Sequence, residues 1–404
     1  MATVPQVARV SPPVLGPVAG RAARATGCVP RTSRLTGARS VHTLAFGRLA
    51  QPQARLSRLV QAAATLGVRV AGRGRDARFS AASADGLRDV LAAAVPVVVA
   101  AAPVALPVLR RFTAAAWPGR GGGAPAAGTA AMKVSVRLDL ATGRLSGPCV
   151  EAGRTADRVP TVATTPLPPG ALRLADRGFF SLGGLAEQHA RGVLSPSRGQ
   201  PGTAVATPGG RRQGRLPPRA RATTAPVDRP VLLGARRRRV RATARDQGRT
   251  VGAARSALCA WTILITSVPP AHLAVQEALV LTRARWRVEA RFECGKQQQQ
   301  VDEWRATNPW RILTEGHAKL LAVLVRQRLI LVGCWPLPDR GLVKATQAIR
   351  GHALHLAAVF DVHARRCQAR HIVARCLATG RLNARKTVPN TVHPLLALDP
   401  PALA

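Results

Sequence analysis

The chain has 404 residues and contains 60 Lys or Arg against 19 Asp or Glu, which gives a formal net charge of +41 at pH 7. Its seven cysteines are dispersed and include no CxxC pair, so the composition argues against a disulfide framework and favours reduced thiols in a cytosol-like compartment. Only five of the basic residues are lysines, and arginine side chains match phosphate geometry. We therefore expect a nucleic-acid partner, although GC-rich coding alone also enriches a sequence in Arg, Ala, Gly and Pro.

The N-terminal quarter of the chain changes character near residue 40. Residues 1–40 are rich in Pro, Gly and Arg, which predicts a basic, disordered arm. Apolar residues then recur at helical spacing, which predicts a small helical domain over residues 41–94. The apolar stretch Leu91–Leu109 is long enough to suggest a membrane span, but three prolines interrupt it. We therefore predict no membrane segment.

Strands are predicted next along the chain. Pro96–Ala101 is a short apolar run, and Lys133–Leu140 alternates apolar with polar residues. Between them, the Gly-rich loop Trp117–Gly123 lacks the Lys-Ser/Thr ending of a nucleotide-binding loop. Leu172–Phe180 predicts a short strand that ends at Asp176 and is followed by a turn and a helix.

The second half of the chain begins with a loop-rich insertion and continues with strong helices. Residues 195–258 are rich in Gly, Pro and Arg, and they include the run Arg236, Arg237, Arg238 and Arg239. This run predicts either a contact with DNA phosphates or an unpaired charge run, with no preference between the two.

Three further segments complete the predicted core. The sequence predicts a buried strand at Ala260–Val268, helices at Leu273–Lys296 and Ile312–Trp335, and a loose tail over residues 380–404. This order of strands and helices predicts an α/β core of residues 95–194 and 259–379, which carries the insertion 195–258.

One predicted helix carries a constellation of charges. Arg285, Glu289 and Lys296 are separated by four and seven residues, so a helix places the three side chains on one face. A carboxylate flanked by two cations can hold a metal ion while the cations bind phosphates. The plainer interpretation of Arg285 and Glu289 is a surface ion pair, worth about 0.3–0.5 kcal/mol.

The sequence around these residues resembles that of the DDE transposases of the IS-four insertion-sequence family. That family carries a helix motif of Tyr, Arg, Glu and Lys, and its last three positions fall on Arg285, Glu289 and Lys296. Three segments are similar to sequences of the family: EALVLTRARWRVE, WRILTEGHAKLLAVL and LADRGFFSL. The similarity of the last segment implies that the second catalytic Asp is Asp176. The similarity extends over roughly Leu44–Leu356, most of the chain.

The resemblance implies an RNase H-like fold and metal-dependent cleavage and strand transfer of insertion-sequence ends. It implies that Asp176 and Glu289 bind two ions of Mg²⁺ or Mn²⁺, and that Arg285 and Lys296 hold the DNA backbone. It also implies a DNA-binding role for the helical domain 41–94, double-stranded DNA as the partner, a possible homodimer on paired ends, and a nucleoid-associated location in the bacterial cytoplasm.

The chain departs from the family at the first catalytic Asp. The expected position falls within Ala100–Ala102, and no Asp or Glu occurs between Asp89 and Asp139. Asp139 is a poor substitute because it belongs to the next predicted strand. The family's Tyr is replaced by Thr282. We therefore expect a degraded transposase copy, with a catalytically dead DNA-binding relic as the alternative.

A second group of possible metal ligands lies near the C-terminus. His363, Cys367 and His371 are spaced by four residues on a predicted helix, with Cys376 beyond. The spacing matches no common zinc module, and neighbouring arginines would repel a cation. We therefore predict a solvated basic helix at this position.

Overall fold

The computed structural model describes a little over half of the chain. The described residues are 11–29, 35–72, 78–97, 107–121, 132–152, 165–175, 179, 182–198, 205–206, 232–233, 264–269, 271–283, 294–301, 303, 306–335, 337 and 340–381. By their contacts they divide into two compact units. The first draws on residues 1–105, 120–154 and 287–388, and the second draws on residues 106–119, 155–286 and 389–404.

The structure combines helices with parallel and antiparallel strand pairs, so it is a mixed α/β protein. The α-helices are α1 (Ala19–Ala25), α2 (Gly37–Ala50), α3 (Leu56–Thr65), α4 (Ala81–Ala94), α5 (Leu182–Ala190), α6 (Val275–Arg283), α7 (Pro309–Gly333), α8 (Leu342–Ala358) and α9 (His363–Thr379). The strands are β1 (Ala115–Gly121), β2 (Met132–Asp139), β3 (Leu145–Ala152), β4 (Leu172–Arg173), β5 (Pro196–Arg198), β6 (Val205–Ala206), β7 (Leu232–Leu233) and β8 (Leu264–Thr266). Short π-helices occupy Val14–Val18 and Cys294–Gln298, and a 3-10 helix occupies Pro107–Arg111.

The first unit is organised around α7, a helix of 25 residues. Asn308 caps its start by accepting hydrogen bonds from the backbone N–H groups of Trp310 and Arg311, at 2.9 and 3.2 Å. Pro309 follows as the first helical residue, where its missing N–H costs nothing. Most of the helix is buried, because α2, α4 and α9 all pack against it. Its buried residues include polar and charged side chains, such as Glu315 and Lys319, as well as aliphatic ones.

A β-hairpin of β2 and β3 packs against α7 through its turn. The two strands are antiparallel, and Gly143 in the turn has a φ of +68°. Its carbonyl accepts a hydrogen bond of 3.0 Å from Nε2 of Gln327 on α7. A Cβ at this position would lie 2.5 Å from atoms of Leu331 and Trp335, so the approach of the turn to α7 requires glycine.

The second unit contains a buried parallel strand pair. β1 pairs in parallel with β4, with Ala115 opposite Leu172. On the other side of β4, Leu172 and Ala175 form parallel bridges to Leu194 and Ser197. The antiparallel pairs β5–β8 and β6–β7 also lie in this unit.

Two predictions for the N-terminal half are wrong in part. Residues 11–25 are helical and bury Val14 and Leu15, so they do not form the disordered arm predicted from their composition. The predicted loop Trp117–Gly123 instead contributes most of β1, a strand that pairs with β4 through Ala115 and Ala116. The predicted strand Pro96–Ala101 lies mostly outside the described residues.

Other predicted elements are confirmed. The strand at Ala260–Val268 is present as β8, the helix after Asp176 is α5, and the helix at Ile312–Trp335 is α7.

Among the helices that the structure describes, none is both long and apolar enough to cross a membrane.

Candidate functional site

The strand that leads to Asp176 is central and fully buried. The backbone N–H of Leu172 donates to the carbonyl of Ala114 at 2.7 Å, and that of Arg173 donates to Leu194 on the opposite side, also at 2.7 Å. Leu172 and Leu174 are 0% exposed. Asp176 is outside the described residues and follows the last residue of β4, Arg173, by three positions in the sequence. In parallel sheets, ligands bind at the carboxyl ends of the strands.

A buried ion pair holds the start of α6, the helix that leads toward Arg285 and Glu289. Arg111 donates from both terminal nitrogens to the two carboxylate oxygens of Glu277, each at 2.9 Å. Glu277 also accepts a bond of 2.8 Å from the backbone N–H of Ala274, which closes the first turn of the helix. Two parallel charge-assisted bonds fix the direction of the helix axis as well as its position.

The motif residues on and beyond α6 are only partly described. Thr282, at the family's Tyr position, donates from its hydroxyl to the carbonyl of Leu279 within the same helix at 2.9 Å. Arg285 and Glu289 lie outside the described residues. Lys296 is half-buried and lies on the π-helix Cys294–Gln298. A π-helix has a wider turn than an α-helix, so Cys294–Gln298 differs from the α-helix that the sequence predicted up to Lys296.

Two cations of the first unit anchor the segment that carries Lys296. Lys319 on α7 is 0% exposed, and its ammonium group donates to the carbonyls of Gln300, at 2.7 Å, and Glu303. Arg350 on α8 donates to the side-chain oxygen of Gln298 at 3.4 Å. Lys296 therefore lies on a turn that these hydrogen bonds hold in place. This limits the conformational entropy that the segment would lose if Lys296 bound a phosphate.

The sequence did not identify these supporting residues. A carboxylate in the first turn, as at Glu277, is a recognised sequence signal of a helix start. Its partner Arg111 is 166 positions away, and no local pattern indicates such a pair. Lys319 gave no signal either, because a buried lysine in an apolar helix is rare.

Asp139 has a structural role at the end of β2. Its Oδ1 accepts hydrogen bonds from the backbone N–H groups of Ala141, at 2.9 Å, and Thr142, at 3.5 Å. These bonds form the turn into β3. The side chain is thus engaged in folding the hairpin, which agrees with the expectation that it is a poor substitute for the first catalytic Asp.

The possible zinc ligands of α9 do not assemble. His363 and Cys367 approach within 3.8 Å, while Cys376 contacts His352 of α8 at 3.8 Å. Within the described ranges, no group of three or more His, Cys, Asp or Glu side chains could hold a metal ion. The prediction of a solvated basic helix is wrong in part, because Arg366 and Arg370 are each only 6% exposed.

The sequence predicts that two carboxylates bind metal ions and that a run of arginines in the insertion contacts DNA. Asp176, Glu289 and Arg236–Arg239 lie outside the described residues, so their roles remain predictions. Carboxylate oxygens are nevertheless the ligands that Mg²⁺ prefers.

A family comparison decides the class of the protein. The model of the transposase DDE domain matches residues 106–325, which is more than half of the chain. The chain belongs to the transposase DDE domain family. No curated protein and no solved structure matches it significantly. The matched region of this transposase includes Asp176, Arg285, Glu289 and Lys296, and it begins after Ala100–Ala102.

Family membership indicates a DNA-directed phosphoryl-transfer enzyme that functions in transposition. Members of this class generally use divalent metal ions. DNA is accordingly the substrate that the family implies, in agreement with the net charge of +41.

Proposed function

We propose that this transposase binds the ends of an IS-four-type insertion sequence and has lost most of its cleavage and strand-transfer activity. The observation that carries the proposal is the buried strand β4. It ends at Arg173, three residues before Asp176 in the sequence, between parallel neighbours and inside the matched region. The same arrangement supports an RNase H-like core, since an antiparallel hairpin (β2–β3) and parallel strands occur in the order that such a core needs.

In this proposal Asp176 and Glu289 hold Mg²⁺ or Mn²⁺. The ions would supply a polarised nucleophile and stabilise the leaving oxygen. Arg285 and Lys296 bind DNA phosphates beside the two carboxylates, and Lys296 is positioned by the turn that Lys319 anchors. Arg236, Arg237, Arg238 and Arg239 add phosphate contacts from the insertion.

The proposed loss of activity rests on the missing first carboxylate. No Asp or Glu occurs from residue 90 to residue 138, so neither Ala100–Ala102 nor β1 can supply one. Asp139 is bound to its own turn. Two carboxylates would neutralise less cation charge than three, so Asp176 and Glu289 alone would hold divalent ions weakly.

A strand-cleavage assay on the element's own terminal repeats, with Mg²⁺ and then Mn²⁺, tests the proposal. We expect specific binding in a gel-shift assay and little or no cleavage. Robust cleavage that disappears in Glu289→Gln would refute the loss of activity while supporting the assigned site. Glu187→Gln is the matched control, because Glu187 is an exposed carboxylate on α5.

The second candidate is a DNA-binding relic that occupies transposon ends, as a homodimer on paired ends in the bacterial cytoplasm. The absence of the first carboxylate favours it. In this case the double variant Asp176→Asn, Glu289→Gln would bind ends with unchanged affinity in every metal condition. If instead metal strengthens end binding of the wild type and not of the double variant, the metal site is intact.

A further inference from the structure

Helix α3 has one face packed on the first unit and one face open to solvent. Leu59 and Ala62 are buried, and α3 lies so close to α2 that a Cβ at Gly47 would be 2.9 Å from Leu59. On the exposed face, Arg58 donates from Nη1 to Oε1 of Gln61 at 2.8 Å. The helix therefore holds a guanidinium and an amide side by side in solvent. The residues of the exposed face are Ser57, Arg58, Gln61, Ala64 and Thr65.

This face suits the major groove of duplex DNA. A helix with its side chains is about 10–12 Å across and the groove is about 12 Å wide, so small side chains such as Ser57 and Ala64 allow a close approach. Arg58 and Gln61 are the residue types that form paired hydrogen bonds with guanine and adenine. Residues 1–75 contain no Asp or Glu, so neither α3 nor the sequence next to it repels phosphates.

The turn that leads into α3 lies against the short π-helix of the first unit. Arg350 of α8 donates to the carbonyl of Ala50, where α2 ends, and to Oε1 of Gln298 in the π-helix, both at 3.4 Å. Gln53 in the turn donates to Oε2 of Glu303 at 3.2 Å. Two separate contacts thus join the turn before α3 to the π-helix and the segment that follows it.

Helix α7 anchors both sides of this junction. Glu315 pairs with Arg48 at 2.5 Å, and Arg48 also donates to the carbonyl of Pro52 in the turn at 2.9 Å. Four residues further along α7, Lys319 donates to the carbonyl of Gln300 at 2.7 Å. Because residues four apart lie on one face of a helix, α7 holds the turn before α3 and the segment after the π-helix side by side.

We propose that the exposed face of α3 and Lys296 of the π-helix form one contact surface for the duplex DNA of a transposon end. Arg58 and Gln61 read bases, and Lys296 binds a phosphate of the same duplex. Arg350 is a positioning residue, because its two bonds set the separation between the two parts of this surface. Helix α3 lies outside the matched residues 106–325, so the family match assigns it no role. The inference rests on the proposed function in taking the DNA to be a transposon end.

A comparison of two duplexes separates base reading from phosphate binding. Fluorescence anisotropy gives the affinities for the terminal repeat and for a scrambled duplex of equal length. Arg58→Gln and Gln61→Ala should each lower the ratio of these affinities by at least about fivefold. Lys296→Gln should weaken binding to both duplexes by the same factor and reduce the salt slope by about 0.9. Arg88→Gln is the matched control and should change neither quantity, because Arg88 is exposed but already pairs with Asp85.

The outcomes of this measurement distinguish two failures. If the wild type binds the terminal repeat no better than the scrambled duplex, this inference and the proposed function both fail. If the wild type discriminates between the duplexes and neither Arg58→Gln nor Gln61→Ala changes the ratio, this inference alone fails.

Cross-linking tests whether one duplex contacts both parts of the surface. Gln61→Cys and Lys296→Cys, each labelled with a photo-activated cross-linker, should react with the terminal repeat within about one helical turn of each other. The wild type, labelled in the same way, gives the background of the native cysteines. Cross-links more than about one helical turn apart overturn the proposal.

The same cross-links test the positioning role of Arg350. Adding Arg350→Ala should spread the positions that react from Lys296→Cys over more bases and leave those from Gln61→Cys in place. A role in stability alone would lower the yield at both positions without moving either, and that result overturns the positioning role. If Arg350→Ala fails to fold, Arg350→Lys serves instead, since a lysine cannot make both bonds with a planar fork.

Discussion

Glu277 shows how much one buried carboxylate contributes to the position of a motif helix. Replacing it with Ala leaves the Arg111 guanidinium, whose side chain is 17% exposed, without its charge partner. Removing one member of a buried pair destabilises by about 3 kcal/mol. We therefore expect Glu277→Ala to lower the free energy of unfolding by about that amount in urea titrations.

Glu187→Ala is the control for that measurement. Glu187 pairs with Arg191 at 2.7 Å, but both side chains are more than half exposed. An exposed pair of this kind contributes about 0.3–0.5 kcal/mol. Equal losses in the two variants would show that the Arg111–Glu277 pair has no special role in holding α6.

His42 makes the stability of the first unit depend on pH. The side chain is 3% exposed and packs edge-on against Phe360 at 4.4 Å, and burial lowers its pKa from 6.5 to about 4. Between pH 6.5 and 4 the unfolded chain binds a proton at this histidine and the folded chain does not. The contribution of His42 to the free energy of unfolding is therefore fully present above pH 6.5. It is lost as the pH falls toward 4, by up to about 3 kcal/mol.

The variant His42→Leu should flatten this dependence, because leucine is buried without titrating. The measurement is the free energy of unfolding at several pH values between 4 and 7. His355→Leu is the control, since His355 is exposed on α8. A slope that is unchanged in His42→Leu would assign the acid sensitivity to other groups.

At the scale of elements, the turn of Gly143 tests the docking of the β2–β3 hairpin on α7. Gly143→Ala places a methyl group against Leu331 and Trp335 and forces a residue with a Cβ to adopt a φ of +68°. Overpacking of this kind costs about 1–3 kcal/mol, so we expect a loss of stability in that range. Gly351→Ala is the control, because nothing lies within 4 Å of a Cβ at this position in α8. There we expect a gain of about 0.5–1 kcal/mol.

The elements also show which parts of the fold the sequence could predict. Helix α7 was predictable because its apolar residues extend over more than six turns and Asn308 and Pro309 mark its start. The helix α1 was missed because Pro and Gly dominate its surroundings, and its burial depends on contacts with distant helices. β1 was missed for a related reason, since its Gly-rich segment has no alternating pattern and its pairing with β4, at Ala115 and Ala116, joins residues distant in the sequence.

The candidate site, too, was predictable only where the sequence carries a local pattern. A motif with fixed spacings indicated Arg285, Glu289 and Lys296, the similarity of the segment LADRGFFSL indicated Asp176, and the family match covers all four. The π-helical turn at Lys296 depends on Lys319 and Arg350, which are distant in sequence. Long-range support of this kind leaves no periodic signal, so spacing alone placed Lys296 on the wrong type of helix.

At the scale of the whole molecule, the net charge of +41 predicts a strong dependence of DNA binding on salt. Each phosphate contact contributes about 0.9 to the slope of log affinity against log salt concentration. Replacing Arg236, Arg237, Arg238 and Arg239 together with Gln should reduce that slope by about 0.9 for each arginine that contacts DNA. Fluorescence anisotropy measures the slope, with Arg191→Gln as the control. An unchanged slope would identify the run as an unpaired charge segment.

The missing first carboxylate offers the sharpest test at this scale, because the defect should be reversible. If the family's first Asp has been lost from Ala100–Ala102, then Ala100→Asp, Ala101→Asp or Ala102→Asp should restore a three-carboxylate site. We expect one of these variants to raise Mn²⁺-dependent cleavage of transposon ends by at least about tenfold, a barrier lower by about 1.4 kcal/mol. The gain should vanish when Glu289→Gln is added, since both carboxylates must serve the same ions. Variants that fold and bind DNA normally, yet never cleave faster than the starting protein, would show that more than one carboxylate separates this chain from an active transposase.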